Sequence, residues 1–561
     1  MIKIKRLFNK YREIFSDRVL CKPMISEDDS TVDNKEQNGF LRLISGAPFA
    51  FRALFCIFIA FTLLTLIFID KGLNVYYIPN GLEASNKLLI LASLALFITV
   101  ICAAYLLQRI KSGKKFKRKL SEKQFYLIIA LAFAAVYLLQ LFISNRIYLK
   151  TDWDVIAITN AAEKIANGEA DGVPAWYFNQ YPNNMMITYT LVFLYRVGKV
   201  FFSADPYKAV LLFVSFVVCV SVFLATLCIY RMTGSRKLTA CGMIIGVLLI
   251  AINPWIVIPY TDSIPMIFPV LAVFCYLYVK NKYLRYSLLT FICILGYFYK
   301  PTIIILLIAL VILKLFSLME KLLRKRFSIK HCACMLLCVV ISAGCAFGVD
   351  RAVSSLNKTE LDANKQMTMT HYLMMGLNVK NEGVYSLEDV IYSNSFPDVE
   401  SRQKANLDVA KSRFKEMGLK GYVKLLIKKN ISTYNDATFG WGREGKFYYE
   451  VPEDNRSSTK VLRSFYYTNE QGTNHQAFAT AEQILWLFIL MCICFCILPL
   501  KAKGGAENLL ALTLLGVSMF LLIFECRARY LFVFSPLFVI LAAAGLYKAY
   551  LFAEKCLFTK K

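Results

Sequence analysis

Two carboxylates two residues apart, Asp152 and Asp154 in Thr151-Asp152-Trp153-Asp154, stand directly after a long apolar stretch. A pair at this spacing has two chemistries open to it. It can share a divalent metal such as Mg or Mn, or one acid can act as general base while the other orients it. Solvated acids flanking an apolar run are the structural alternative. Asp152 is the first candidate for the catalytic carboxylate and Asp154 the second, with base and metal ligand left open between them. Further along, Asp262 in Tyr260-Thr261-Asp262-Ser263, Lys300 in Lys300-Pro301-Thr302, and Arg527 and Arg529 in Glu525-Cys526-Arg527-Ala528-Arg529-Tyr530 each adjoin an apolar stretch. Lys300, Arg527 and Arg529 suit a phosphate. Their alternative is snorkelling to a membrane interface. Asp262 is a candidate for positioning a substrate, or else a helix N-cap. Glu525 can pair with either arginine.

The elements that must position these residues are membrane helices. The chain has 561 residues, is 57% hydrophobic, and has a mean hydropathy of +0.51. Apolar runs long enough to cross a hydrocarbon core of about 30 Å recur along it. Twelve spans are expected, near 50–69, 88–107, 125–145, 209–230, 238–257, 264–279, 286–299, 302–316, 331–349, 481–500, 506–524 and 529–549. The stretch 185–202 is interrupted by Arg196 and Lys199 and reads as an amphipathic helix lying on the outer surface. The expected divisions are a cytoplasmic segment 1–49, two additional spans in 50–124, a membrane core 125–349 with a first outer loop 146–208, an outer region 350–480, and the closing spans and tail 481–561.

The net charge of +27 does not point to nucleic acid, because the Lys and Arg residues cluster between apolar runs rather than along a soluble face. Residues 108–124 carry eight Lys/Arg against one acid, and 231–237, 280–285, 317–330 and 501–505 are basic too. By the positive-inside rule these loops are cytoplasmic, so both termini are expected inside and the candidate residues outside. Most of the 17 Cys lie within apolar runs, and 350–480 has none, which speaks against a disulfide framework. The basic N-terminus shows no cleavable signal peptide, so the first span is expected to direct insertion.

An acidic motif after a span, the helix-forming run 155–168, and then Tyr177-Phe178-Asn179-Gln180-Tyr181-Pro182-Asn183-Asn184 together resemble the C-type (GT-C) integral-membrane glycosyltransferases. The nearest likeness is to bacterial members related to protein O-mannosyltransferases and aminoarabinose transferases. The resemblance extends over about 146–545, through the Asp262, Lys300 and Arg527 motifs, His371-Tyr372-Leu373-Met374-Met375-Gly376-Leu377-Asn378 and Asp436-Ala437-Thr438-Phe439-Gly440-Trp441.

The resemblance implies an all-α polytopic fold and an enzyme of the cell membrane. Such an enzyme moves a sugar from a polyprenyl-phosphate donor to a cell-envelope acceptor: a wall polysaccharide, a teichoic acid or a glycolipid. Tyr181, Asn183, His371 and Asn378 then join Asp262 as substrate-positioning candidates, and Trp441 and Tyr177 as rings that could stack on a sugar. A flippase or transporter of a lipid-linked intermediate would call for internal repeats and mid-bilayer charges. A polysaccharide polymerase or ligase would lean on outer arginines rather than an acidic pair. A receptor or scaffold has little cytoplasmic chain to work with.

Overall fold

The computed structural model describes residues 39–68, 85–113, 121–169, 173–499 and 506–558. Most of the expected cytoplasmic segment 1–49, the basic run at 114–120, the loop 501–505 and the tail from 559 lie outside the described residues.

Helices α1 (Gly39–Phe68), α2 (Asn86–Gly113) and α3 (Glu122–Ile147) come first. α3 starts on a capping box, in which the Ser121 side chain takes the Gln124 N–H and the Gln124 side chain returns to the Ser121 N–H. α4 (Asp154–Asn167) ends on Gly168 in the left-handed region, whose N–H closes on Ile165 and Lys164. Next are α5 (Met185–Phe201), α6 (Tyr207–Thr233), α7 (Arg236–Gly246), α8 (Ile267–Tyr278), α9 (Lys282–Tyr299), α10 (Ile304–Leu323) and α11 (Ile329–Ser354). Residues 350–480 supply α12 (Met369–Gly376), α13 (Leu387–Asn394), α14 (Val399–Tyr434) and α15 (Ser457–Tyr466). α16 (His475–Cys494), α17 (Ala506–Ile523) and α18 (Ser535–Ala553) close the fold. Among the described residues there is no strand, only an isolated bridge between Lys150 and Glu450. The fold is all-α and polytopic.

Nine described helices are long and apolar enough to cross a membrane: α1, α2, α3, α6, α10, α11, α16, α17 and α18, some extended by short turns. Burial ranks them. The window at α18 is 89% buried, whereas that of α11 is 6% buried, so α11 turns almost its whole apolar surface outward, as a helix in lipid does.

The other three expected spans depart from regular helices. In 238–257, α7 passes into a π-helical turn at Val247–Ala251 and stops at Asn253-Pro254, where the Asn253 side chain takes the Trp255 N–H and proline supplies none. α8 is short, and α9 carries charges at its start. All three still carry the chain from end to end. One end is marked by Phe125 and Tyr126 against Tyr230, and by Arg231 against Leu277 and Tyr278. Asp262 and Lys300, which follow α7 and α9, meet Arg529 at the other end.

The stretch 185–202 forms α5, packed on α4 and α6, with Phe193, Val200 and Phe201 left exposed. Helix interiors are less free of charge than hydropathy suggests. Near the first end, Glu507 of α17 pairs with Arg52 of α1 at 2.7 Å and Lys548 of α18 at 2.6 Å. This joins the first span to the last two. α1 also packs directly on α10, α16 and α17, so it is part of the bundle and not an appendage.

Candidate functional site

α4 starts within one residue of the end of the α3 connection, which puts Asp154 in its first turn, where the helix dipole favours an anion. The Asp154 Oδ2 accepts a hydrogen bond from the Tyr260 hydroxyl at 2.8 Å. Asp152 points elsewhere. Its Oδ1 accepts the Lys446 N–H at 2.7 Å, and its own N–H reaches the Lys446 carbonyl at 3.4 Å. Gly445 makes this contact feasible: its φ is +50°, and a Cβ there would sit 3.0 Å from the Asp152 Oδ1. Asp152 therefore anchors the 444–446 turn, and that turn delivers Glu444.

Glu444 belongs to a chain of buried charges. Lys300 Nζ donates to Asp262 Oδ1, and Arg529 Nη1 donates to Asp262 Oδ2 at 3.2 Å. Arg529 Nε lies 3.2 Å from Glu444 Oε1 without the alignment of a hydrogen bond, and Arg527 Nη1 donates to Glu444 Oε2. Arg527 Nε then donates to Glu525 Oε1 at 3.0 Å. All six side chains are buried. The Arg529 guanidinium also lies over Trp153, at 4.8 Å, and over Tyr260, at 5.6 Å, so Tyr260 connects the ionic chain to Asp154. Burial pushes the Glu525 carboxyl up to about 7, against the pull of Arg529.

Asp262, Lys300, Arg527, Arg529 and Asp154 are thus brought together, and Asp262 is an ion-pair centre rather than a helix cap. Tyr181 joins them. Its ring packs on Tyr177 at 5.3 Å, and it lies within electrostatic reach of Asp154, as do Tyr177, Tyr260, Tyr372 and Tyr385. Burial holds these five phenols in the protonated, donating form. Asn183 connects at one remove, donating to Asn184 Oδ1 at 3.2 Å, while Asn184 donates to the Tyr177 hydroxyl at 2.6 Å.

His371 and Asn378 have other partners. The His371 Nδ1 is 2.7 Å from Ser393 Oγ, and burial brings its pKa down to about 4. Asn378 donates to Asp389 at 3.0 Å and accepts the Lys380 N–H at 3.1 Å, closing a turn. Trp441 corrects an expectation: it is fully buried and donates to the Tyr466 carbonyl, so it offers no face to a sugar.

Sequence reasoning passed over Glu444 altogether. Its one signal was the glycine-rich run Gly440-Trp441-Gly442-Arg443-Glu444-Gly445, in which all three glycines take positive φ. Lys429 was also missed. This fully buried ammonium donates to the carbonyls of Gly376 at 2.9 Å and Phe524 at 2.6 Å, fastening α14 to α12 and to the segment beside Glu525. Among the described residues no group of three or more His, Cys, Asp or Glu could hold a metal. Asp152 and Asp154, committed to a backbone N–H and a tyrosine, do not make up a cation cage by themselves.

A family model described as conserved hypothetical integral membrane protein matches residues 47–550. The chain belongs to this family. The match takes in nearly the whole bundle, including α2 and all but the first turns of α1, together with every residue of the ionic chain. No curated protein and no solved structure matches the chain.

Proposed function

We propose that this protein is a membrane glycosyltransferase using a polyprenyl-phosphate sugar as donor and a cell-envelope glycan or lipid as acceptor, on the face away from the cytoplasm, with both termini inside. The observation that carries the reading is the junction at Tyr260. One side chain holds a carboxylate suited to proton removal and lies under a guanidinium suited to phosphate. The basic residues at the opposite helix ends support the orientation.

In this mechanism the acceptor hydroxyl attacks the anomeric carbon and gives its proton to a carboxylate. A new C–O bond forms as the bond from the anomeric carbon to the phosphate oxygen breaks, and the electron pair leaves with polyprenyl phosphate. A single displacement inverts the configuration. The geometry favours Asp154 over Asp152 as the base, because Asp152 is turned to the 444–446 backbone. Lys300, Arg527 and Arg529 offset the charge that develops on the departing phosphate. With Glu525 protonated, the cluster carries one more unit of positive charge towards that phosphate.

The test is a membrane assay with a panel of polyprenyl-phosphate sugars, run with and without EDTA. Transfer from a donor, lost in Asp154→Asn, supports the reading. Absence of transfer from every donor, in protein that is inserted and folded, removes it. Loss with EDTA and recovery with Mg or Mn would show that transfer needs a divalent cation.

A further inference from the structure

On the other side of the segment that carries Asp152 and Asp154 lies a cavity of about 240 Å³. Thr151, Val155 and Ile156 line it, as do Ile258 and Pro259. These are the chain neighbours of Asp152, Asp154 and Tyr260. The cavity and the ionic cluster are therefore two sides of one partition, made from the same two segments.

The lining has a definite chemistry. Tyr148, Tyr195 and Tyr207 form an aromatic wall, with ring centroids 5.0 Å apart for Tyr148 and Tyr207 and 6.0 Å apart for Tyr195 and Tyr207. None of their hydroxyls is hydrogen-bonded to another described residue. The Thr151 hydroxyl is buried, with the residue 2% exposed, and it too has no hydrogen-bond partner among the described residues. The three tyrosine hydroxyls are the open polar groups of this wall, whereas the Thr151 oxygen is closed off from the cavity. At the rim are the carboxylates of Glu163, Asp205 and Glu450 against a single lining ammonium, Lys150, which is paired with Glu450 at 2.8 Å. Lys208, outside the lining, lies 4.0 Å from Asp205.

Flat aromatic surface, unspent hydroxyls and acceptor-only carboxylates are what a polyhydroxylated ring requires: its C–H face packs on the rings and its O–H groups donate to the acids. We infer that this cavity is a carbohydrate site that takes an uncharged or amine-bearing pyranose and rejects an anionic one. The partition separates this site from Asp154 and the ionic cluster, so no transfer step of the glycosyltransferase reading runs through it. As a sugar site it stands apart from that reading.

The experiment uses the full-length protein in lipid nanodiscs and saturation-transfer NMR with a panel of hexoses, the matching hexosamines and the matching uronates. Hexose and hexosamine signals are expected at least tenfold stronger than those of the uronates. Asp205→Lys, at an exposed position, should reduce the hexosamine signal several-fold. Asp205→Lys should also raise the uronate signal, while Asp154→Asn should leave sugar binding in place. The inference is overturned if no sugar gives a signal, if uronates bind as well as hexosamines, or if Asp205→Lys binds like the parent protein. Transfer activity without sugar binding here would remove the cavity proposal alone. Sugar binding without transfer from any donor would remove the glycosyltransferase reading and leave the site.

Discussion

Tyr260 touches two candidates of opposite charge: its hydroxyl donates to Asp154 at 2.8 Å while its ring lies 5.6 Å from the Arg529 guanidinium carbon. Tyr260 thus stands between a carboxylate suited to proton removal and a guanidinium suited to phosphate.

Asp154→Asn should lower kcat/KM for sugar transfer by about 10²–10⁴-fold, the usual contribution of a positioned general base, with insertion and thermal stability near those of the parent. Tyr260→Phe loses one hydrogen bond to a charged group, worth about 1.5–3 kcal/mol, and should cost roughly ten- to a hundredfold. Asp152→Asn should act mainly by loosening the 444–446 turn, with a smaller loss of rate and a measurable fall in melting temperature. Transfer assays on nanodisc samples, paired with thermal denaturation, separate these outcomes. An Asp152→Asn variant with the larger loss of rate would reverse the assignment.

Asp262 has two cationic partners and Glu444 has two. Removing one member of a buried pair leaves an uncompensated charge at about 3–5 kcal/mol. Asp262→Asn and Glu444→Gln should each lower stability by about that amount. Adding Lys300→Met to Asp262→Asn should recover part of the loss, because the orphaned ammonium goes with it. A double-mutant cycle on thermal unfolding measures this, and strict additivity would contradict the pairing.

Much of the site's membership could be read from residue type and topology. Asp262, Lys300, Arg527 and Arg529 stood out because charge beside an apolar span has few inexpensive reasons to exist. Their convergence could not be read, since it depends on how α7, α8 and α9 cross despite a π-helical turn, a proline and a short helix. The choice of Asp154 over Asp152, against the sequence expectation, likewise turns on a partner nearly 300 residues away, the Lys446 N–H. Glu444 was invisible because a lone acid in a glycine-rich turn looks solvated until the turn is folded under two arginines. His371 looked like a site residue because histidine is rare here, whereas it serves the internal packing of α12 against α13 and α14.

Glu525 gives the site a pH dependence. Its folded pKa, about 7, is above the ordinary carboxyl value of 4.5, so the native state holds a proton that the unfolded chain has released. Stability from this group is full below about pH 4.5, declines as pH rises towards 7, and is flat above that, a change of order 3 kcal/mol. Glu525→Gln should flatten that slope in pH-dependent melting. It should also abolish the tighter donor KM expected at pH 6 relative to pH 8, since protonated Glu525 leaves the cluster more positive towards phosphate. An unaltered slope in the variant would assign the dependence to another group.

His371 works in the opposite sense. Burial lowers its pKa to about 4, so the unfolded chain binds the extra proton first, and stability is lost as pH falls from about 6.5 towards 4. Amide hydrogen exchange over residues 369–410 should accelerate in that window and not between pH 7 and 8. His371→Gln, which keeps a polar partner for Ser393, should remove the acid sensitivity.

The buried ionic chain draws on residues near 262, 300, 444 and 525–529, so it cannot close until the last hairpin of the protein has been made. During synthesis Asp262 and Lys300 have only each other, and Glu444 has neither arginine. The ionic chain therefore closes only when the segment before α18 emerges from the ribosome and enters the bundle. A chain cut short before Arg527 would hold most of its membrane body together with an acid that has nothing to bind, a defect that quality-control proteases are well suited to detect.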